Sequence, residues 1–419
     1  MIPTCGDGDS SHPLKLFDIA KRQDKFLYAC APMVRYGKVN QPFEVFQTGG
    51  TLAETDRRMQ LAFRQTVHYY GTDLCWTPMI LAREFNRSSF ARDGDLTIST
   101  VGPQPPTILQ FGANSPLELS RASALAAPFV NGVDLNCGCP QSWACAETLG
   151  AALMNQRELV RDMVVETRTA LRNEGWAVGM DKDMDSPNGR SVSVKIRVHD
   201  DLRKTMDFID TVIGHPQNRQ IDWLTIHPRT RSTPSSIPIR SEALEILAAK
   251  YAPILPILLS GDVFDVHSLP FKPSSTFPAD LSTLTLNDIL PRDTDNSNSA
   301  APSSSPPADI PRPSNTNLSG FMSARGLLSN PALFAGHRTC PWEAVERFMC
   351  NVARAPIPFK LTLHHVYDMC SPGMGADKTA LLSKKERVQL NTLGSMFELI
   401  DFLDEKMEER TGRGLRRDL

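Results

Sequence analysis

The stretch 192–227 opens with Val192-Ser193-Val194-Lys195-Ile196-Arg197-Val198. It runs through the amphipathic Leu202–Ile213 and closes on Ile221-Asp222-Trp223-Leu224-Thr225-Ile226-His227. The two outer runs are short and nearly continuous in apolar residues, as strands covered on both faces require. The middle run spaces its apolar residues at helical period. Strand, helix and strand in this order make a right-handed crossover between parallel strands. The unit recurs outward in both directions. Upstream, Phe26–Ala31 precedes the amphipathic Leu52–Tyr70, and Leu74–Ile80 follows. Thr107–Phe111 precedes Leu117–Ala127, and Val133–Asn136 precedes Glu147–Asn155 and Arg157–Asn173. Downstream come Ser241–Tyr251, Ile254–Ser260 and Phe321–Ala324. Eight strand candidates, most with a helix behind them, predict an α/β fold closed as a (β/α)8 TIM barrel.

The 419 residues leave room for a smaller second domain. Residues 1–24 are expected to be a flexible leader, 25–338 the barrel and 339–419 a C-terminal helical domain. In that last part strand runs stop, and Ala380–Leu393 and Met396–Glu409 carry helical patterns. The segment 265–319 reads as a low-complexity insert between strands seven and eight. Its second half, 291–319, is dominated by Pro, Ser, Asn and Asp, too polar to offset the entropy of ordering, while Leu281–Leu290 could hold a helix. Trp176–Ser191 reads as a surface loop. The tail residues Arg413, Arg416 and Arg417 read as a solvated end or a phosphate contact.

Composition narrows the class. Hydrophobic residues make up 41% and charged residues 22%, as in soluble globular proteins, and the net charge of −2 gives no global basic signal. Nine irregularly spaced cysteines suit reduced thiols in the cytoplasm or nucleus better than a disulfide framework. Met1–Pro13 has no apolar core of a signal peptide, and no apolar run approaches the roughly 18 residues of a membrane span.

A barrel of this kind places its site at the C-terminal ends of its strands. Those ends read Ala31-Pro32-Met33, Gln110, Asn136 leading into Cys137-Gly138-Cys139-Pro140, Lys195, His227-Pro228-Arg229, Ser260-Gly261-Asp262 and Ala324-Arg325-Gly326. So many polar groups on one rim are costly without a ligand. Amide and ammonium groups suit the polar edge of a flavin ring, and Gly with Arg near the last two strands suits its phosphate. Each residue also has a plainer use. Pro32 and Met33 could be core packing, Gln110 or Asp262 a cap, His227 a structural histidine, and Lys195 could point outward. Cys137 and Cys139 lack further ligands at zinc spacing, so no metal is expected. Cys139 in a Gly-Cys-Pro turn past a strand end is presented to the rim, where a thiol can serve as general acid or nucleophile.

Four stretches carry a specific resemblance: Ala31-Pro32-Met33-Val34, Asp134-Leu135-Asn136-Cys137-Gly138-Cys139-Pro140-Gln141, Val194-Lys195-Ile196-Arg197 and Met322-Ser323-Ala324-Arg325-Gly326. From Phe26 to Phe334, apart from the insert, the chain resembles the tRNA-dihydrouridine synthases. Trp143-Ala144 with Glu147, Gly150-Ala151-Ala152-Leu153, and Asp73 through Ile80 resemble the eukaryotic subgroup acting at D-loop positions 20a and 20b. The resemblance implies FMN as cofactor, NADPH as reductant and tRNA as partner, with a C-terminal helical domain that helps hold tRNA. It implies that hydride passes from flavin N5 to C6 of uracil and that Cys139 protonates C5. It places Pro32 and Met33 along the isoalloxazine and makes Val34 a further cofactor-binding residue. Gln110, Lys195 and His227 would hydrogen-bond the flavin, Asn136 would be a further cofactor-binding residue, and Ser260, Gly261, Asp262, Ala324 and Arg325 would hold its phosphate. Where the family often has His-Gly-Arg-Thr this chain has His227-Pro228-Arg229-Thr230, and Ser260 stands where an asparagine is usual. The chain is expected to act as a monomer. An FMN barrel acting on a small molecule, or a tRNA-binding protein without turnover, are the competing functions.

Overall fold

A computed structural model describes residues 12–33, 61–87, 89, 92, 105–269 and 317–415. Val34 and nearly all of the insert 265–319, with the helix read at Leu281–Leu290, lie outside the described residues, as do Arg416 and Arg417. Among the described residues nine parallel strands follow in chain order: β1 (Leu27–Cys30), β2 (Leu74–Trp76), β3 (Ile80–Leu81), β4 (Thr107–Gly112), β5 (Gly132–Cys137), β6 (Ser191–Ile196), β7 (Leu224–Ile226), β8 (Ile257–Ser260) and β9 (Gly320–Ser323). Neighbours pair in the order β2-β1-β9-β8-β7-β6-β5-β4, and β2 pairs with β4, so eight strands close a ring. The barrel read from the sequence is therefore present.

The second strand differs from its reading as one run from Leu74 to Ile80. Pro78 lacks the N–H a ladder needs. The strand accordingly stops at Trp76 and resumes as β3, which pairs with β4 alone. The helix expected over Glu147–Asn155 is also divided. Ser142–Ala146 forms a short helix and Gly150–Asn155 a 3-10 turn, because Thr148 and Gly150 between them take positive φ, 57° and 59°.

Helices α1 (Pro13–Arg22), α2 (Leu61–Tyr69), α3 (Ala82–Arg87), α4 (Pro116–Ala126), α5 (Ser142–Ala146), α6 (Arg157–Asn173), α7 (Leu202–Ile213), α8 (Ser241–Tyr251) and α9 (Arg325–Ser329) accompany the strands. The first departs from the reading of a flexible leader over its part Pro13–Arg22, which is a packed helix; residues 1–11 lie outside the described residues. His12 caps α1 by accepting the N–H of Leu14, and Leu14 and Phe17 are buried with Trp223 in the barrel interior. Phe17 and Trp223 pack at 5.3 Å between ring centroids. Trp223 immediately precedes β7, so α1 covers the N-terminal ends of the strands and leaves the opposite rim open.

Helices α10 (Trp342–Arg354), α11 (Phe359–Met369), α12 (Lys384–Leu390) and α13 (Met396–Thr411) make up the C-terminal part. They share one continuous apolar core with the barrel. Phe63 of α2 meets Phe348 edge-on at 6.5 Å and stacks on His365 at 4.8 Å. Asn351 Nδ2 donates to Thr66 Oγ1 across the same seam at 2.9 Å.

Candidate active site

A cavity of about 680 Å³ opens at the C-terminal rim of the barrel. Its lining includes Pro32, Met33, Gln110, Asn136, Cys139, Lys195, His227, Ser260, Gly261, Asp262, Ala324 and Arg325. Cys139 and every described residue that the resemblance assigns to the flavin are therefore gathered at one cavity, while Cys137, Pro228 and Gly326 of the same strand ends do not line it; Val34 falls outside the described residues.

Cys139 sits in a turn held from three sides. Its N–H and that of Gly138 donate to Asn136 Oδ1, both at 2.9 Å. Its carbonyl accepts from Ala151 N at 2.8 Å and from the Cys145 thiol at 3.7 Å. Arg197 ties the turn down by donating from Nε to Gly138 O at 2.9 Å, while its Nη1 holds Thr230 O at 2.6 Å. Cys139 itself is half-buried, whereas Cys137 is fully buried in the core. Burial pushes the Cys139 thiol above its ordinary range, so it stays protonated at neutral pH.

Beneath the turn lies a polar layer across three strands. Gln110, Asp134 and Ser193 are register partners on β4, β5 and β6. Asp134 accepts from Gln110 Nε2 at 2.7 Å and from Ser193 Oγ at 2.6 Å, and Gln110 Oε1 accepts from Asn136 Nδ2 at 2.7 Å. Burial raises the Asp134 carboxyl to about 6 against the opposing pull of these hydrogen bonds and of Lys195. Lys195, the register partner of Asn136, is pushed down to about 8 by burial and by Arg197.

On the far side the site is cationic. Arg229 is fully buried and donates from Nη2 to both oxygens of Asp262, at 2.6 and 2.8 Å, and from Nη1 to His227 Nε2 at 3.0 Å. An arginine only donates, so His227 accepts at Nε2 and carries its proton on Nδ1. Burial, with Lys195, Arg197, Arg229 and Arg325 around it, holds His227 well below its usual range and keeps it neutral. Asp262 lines the cavity, but its carboxylate is taken up by Arg229 and by Ile239 N at 2.9 Å. Gly261 has φ +118°, and a Cβ there would lie 2.9 Å from the His227 ring, so only glycine lets the two strand ends approach. Arg325 lies over the Phe264 ring at 5.4 Å, and among the described residues neither Arg325 nor Lys195 forms an ion pair.

Several residues had no role in the sequence reading. Asp134 and Gly150 stood inside quoted motifs with no task of their own. A charged residue between Val133 and Leu135 in a buried strand was the available signal for the first. Arg197 and Arg229 were likewise visible only as motif letters. Tyr367, Asp368, Ser371 and Met374, from α11 and the loop after it, also line the cavity. Nothing local in their sequence announces this.

The arrangement presents an acid, a donor-rich floor and a cationic wall to one ligand. The sequence model of the family described as "Dihydrouridine synthase (Dus)" matches residues 51–274. A human tRNA-dihydrouridine(20a/20b) synthase-like protein is 30% identical over 391 residues, 93% of this chain and 93% of its own length. The tRNA-dihydrouridine(20a/20b) synthase (NAD(P)+) of Schizosaccharomyces pombe is 30% identical over 94% of this chain and 91% of its own. That of Saccharomyces cerevisiae is 30% identical over 84% and 78%. With a family match over more than half its length and relatives at this identity over nearly all of it, the chain belongs to the dihydrouridine synthase family of oxidoreductases.

Proposed function

We propose that this chain reduces uridine to 5,6-dihydrouridine in the D-loop of tRNA, at positions 20a and 20b, using bound FMN and NADPH as reductant. The observation that carries the reading is a protonated, half-buried Cys139 thiol on the rim of a cavity whose floor donates hydrogen bonds and whose wall is cationic. The residues present fit FMN. Lys195 and Arg325 face the cavity without carboxylate partners among the described residues, which a phosphate and a polar ring edge would supply. Gln110 and Asn136 offer amide hydrogens, and neutral His227 offers Nδ1–H. Pro32 and Met33 give an apolar face. When bound, FMN would supply the hydride that adds to C6 of the uracil.

Addition at C6 leaves negative charge on C5 and O4. Cys139 is the group placed to quench it by protonating C5, and burial keeps that proton in place until it is needed. Asn136, Arg197 and Ala151 fix the turn, so the thiol is pre-positioned before substrate arrives. The uridine must leave the base stack to enter. The C-terminal residues Tyr367, Ser371 and Met374 also line the cavity it would enter. A thiol that donates its proton must stay reduced, so the cytoplasm or nucleus is the proposed compartment.

The test is incubation of the purified protein with NADPH and tRNA lacking dihydrouridine, followed by base-resolved mapping. Dihydrouridine at 20a and 20b is expected. A yellow protein that oxidises NADPH yet leaves tRNA unmodified would assign the cavity to a small-molecule substrate instead.

A further inference from the structure

We propose that Asp134 is a positioning residue for Cys139, acting through the side-chain amides of Gln110 and Asn136. This rests on the role given to Cys139 above. An ionised carboxylate only accepts hydrogen bonds. Gln110 must therefore turn its NH2 to Asp134, with Nε2 to Oδ2 at 2.7 Å, and that turns Oε1 toward Asn136. A carbonyl oxygen also only accepts, so Asn136 meets it with Nδ2 at 2.7 Å. The oxygen of Asn136 is thereby aimed at the turn beyond β5, where it accepts the N–H groups of Gly138 and Cys139, both at 2.9 Å. Each link is dictated by the polarity of the one before. Reversing either amide would bring like atoms face to face at hydrogen-bond distance.

The fold isolates this chain of contacts from water. Gln110 is 0% exposed and Asp134 1%, so solvent cannot replace a lost partner. Ser193 Oγ occupies the other carboxylate oxygen at 2.6 Å, but a hydroxyl can donate or accept and imposes no direction. The direction comes from Asp134. A carboxylate that served only to join β4, β5 and β6 would stop at Gln110 and Ser193. It would not determine which atom of Asn136 faces the acid's backbone.

The polarity claim has its own test. In Asn136→Asp the amide at 136 becomes an acceptor on both sides. It then competes with Asp134 for the single NH2 of Gln110, and one carboxylate faces Oε1. Adding Asp134→Asn restores a coherent chain: the new amide at 134 donates to Gln110 Oε1, and Gln110 Nε2 turns to the carboxylate at 136. That carboxylate still accepts from Gly138 and Cys139, and the number of buried charges is the same as in the native protein.

Two readouts apply to the flavin-loaded protein. The first is alkylation of Cys139 by iodoacetamide, mapped by mass spectrometry against Cys350, a half-buried thiol on α10. The second compares flavin reduction by NADPH with flavin reoxidation by tRNA. In Asn136→Asp the Cys139:Cys350 ratio should change by about threefold or more. Reoxidation by tRNA should fall by roughly tenfold or more, and by about fivefold or more beyond any fall in reduction by NADPH, which also senses Asn136 through the flavin. The double variant should recover most of both losses. If it is no better than Asn136→Asp alone, or if both half-reactions fall together as flavin is lost, Asp134 does not position the acid. Should the native protein fail to act on tRNA at all, the proposed reaction is wrong, and the alkylation ratios still decide the role of Asp134.

Discussion

Gly150 lies directly beneath Cys139: a Cβ built on it would sit 2.5 Å from the Cys139 carbonyl oxygen and 2.8 Å from the Cys139 Cβ. The same residue holds φ +59°. The turn that presents the acid therefore rests on a position that admits no side chain, for both steric and conformational reasons.

Gly150→Ala should destabilise the protein by about 2 kcal/mol or more and slow flavin reoxidation by tRNA. Gly175→Ala is the control, since Gly175 has φ +87° with nothing within 4 Å of the added methyl. It should cost only about 1 kcal/mol and leave reoxidation unchanged. Urea unfolding and stopped-flow absorbance give the comparison. Equal effects at the two sites would remove the close approach to Cys139 as a cause.

Cys139→Ala should retain the fold, bound FMN and reduction by NADPH. Reoxidation by tRNA should slow by roughly 10²–10⁴-fold, the range for loss of a general acid. Cys139→Ser should also be slow, since an alcohol is a far weaker acid than a thiol. Cys137→Ala, which trims a fully buried packing residue, should instead lower stability with a smaller effect on turnover. Native reoxidation rates in Cys139→Ala would eliminate the thiol as proton donor.

Lys195 links pH to both affinity and stability. Its ammonium is held down to about 8 from 10.5 by burial and Arg197. A depressed lysine favours the folded state above its unfolded value and loses that contribution as pH falls through 8. At pH 7 the charged Lys195 thus costs the ligand-free protein about 3 kcal/mol, and Lys195→Met should raise its melting temperature. FMN needs the charged form, so its affinity should decline as pH rises above 8, approaching tenfold per unit. Fluorescence titration should find weaker, pH-independent binding in Lys195→Met. A flat native profile between pH 7 and 9 would sever Lys195 from the ligand.

Arg229→Ala leaves Asp262 without its bidentate partner and His227 without the donor that fixes its tautomer. A loss of about 3–5 kcal/mol is expected, with flavin content falling as well. Asp262→Asn should be milder, because an amide oxygen can still accept from Arg229 and Ile239. Chemical denaturation of both variants decides whether the pair matters as charge or as shape.

Removing residues 341–419 should expose Phe63 and the polar seam at Thr66, which the C-terminal helices now cover. The truncated barrel should be poorly soluble or release flavin, rather than losing affinity for tRNA alone. A soluble, fully flavin-loaded fragment would show that the two parts stand independently.

The eight-strand alternation, and the rim position of Gln110, Asn136, Cys139, Lys195, His227 and Arg325, were legible in the sequence alone. Burial on both faces writes itself as short apolar runs, and a polar residue ending such a run needs a purpose. Other features needed the closed barrel. Asp134 and Gln110 become partners only when β4 and β5 pair in one register, and Arg229 finds Asp262 only because β7 and β8 end side by side. The packing of the helix over Pro13–Arg22 was hidden because Trp223, the anchor for Phe17, lies far from it in the chain. Tyr367 and Met374 reach the cavity because α11 packs against α9 and α2, contacts with no local signature. Periodicity encodes which face a residue buries; which residue it meets there is decided by closure of the ring and by long-range packing.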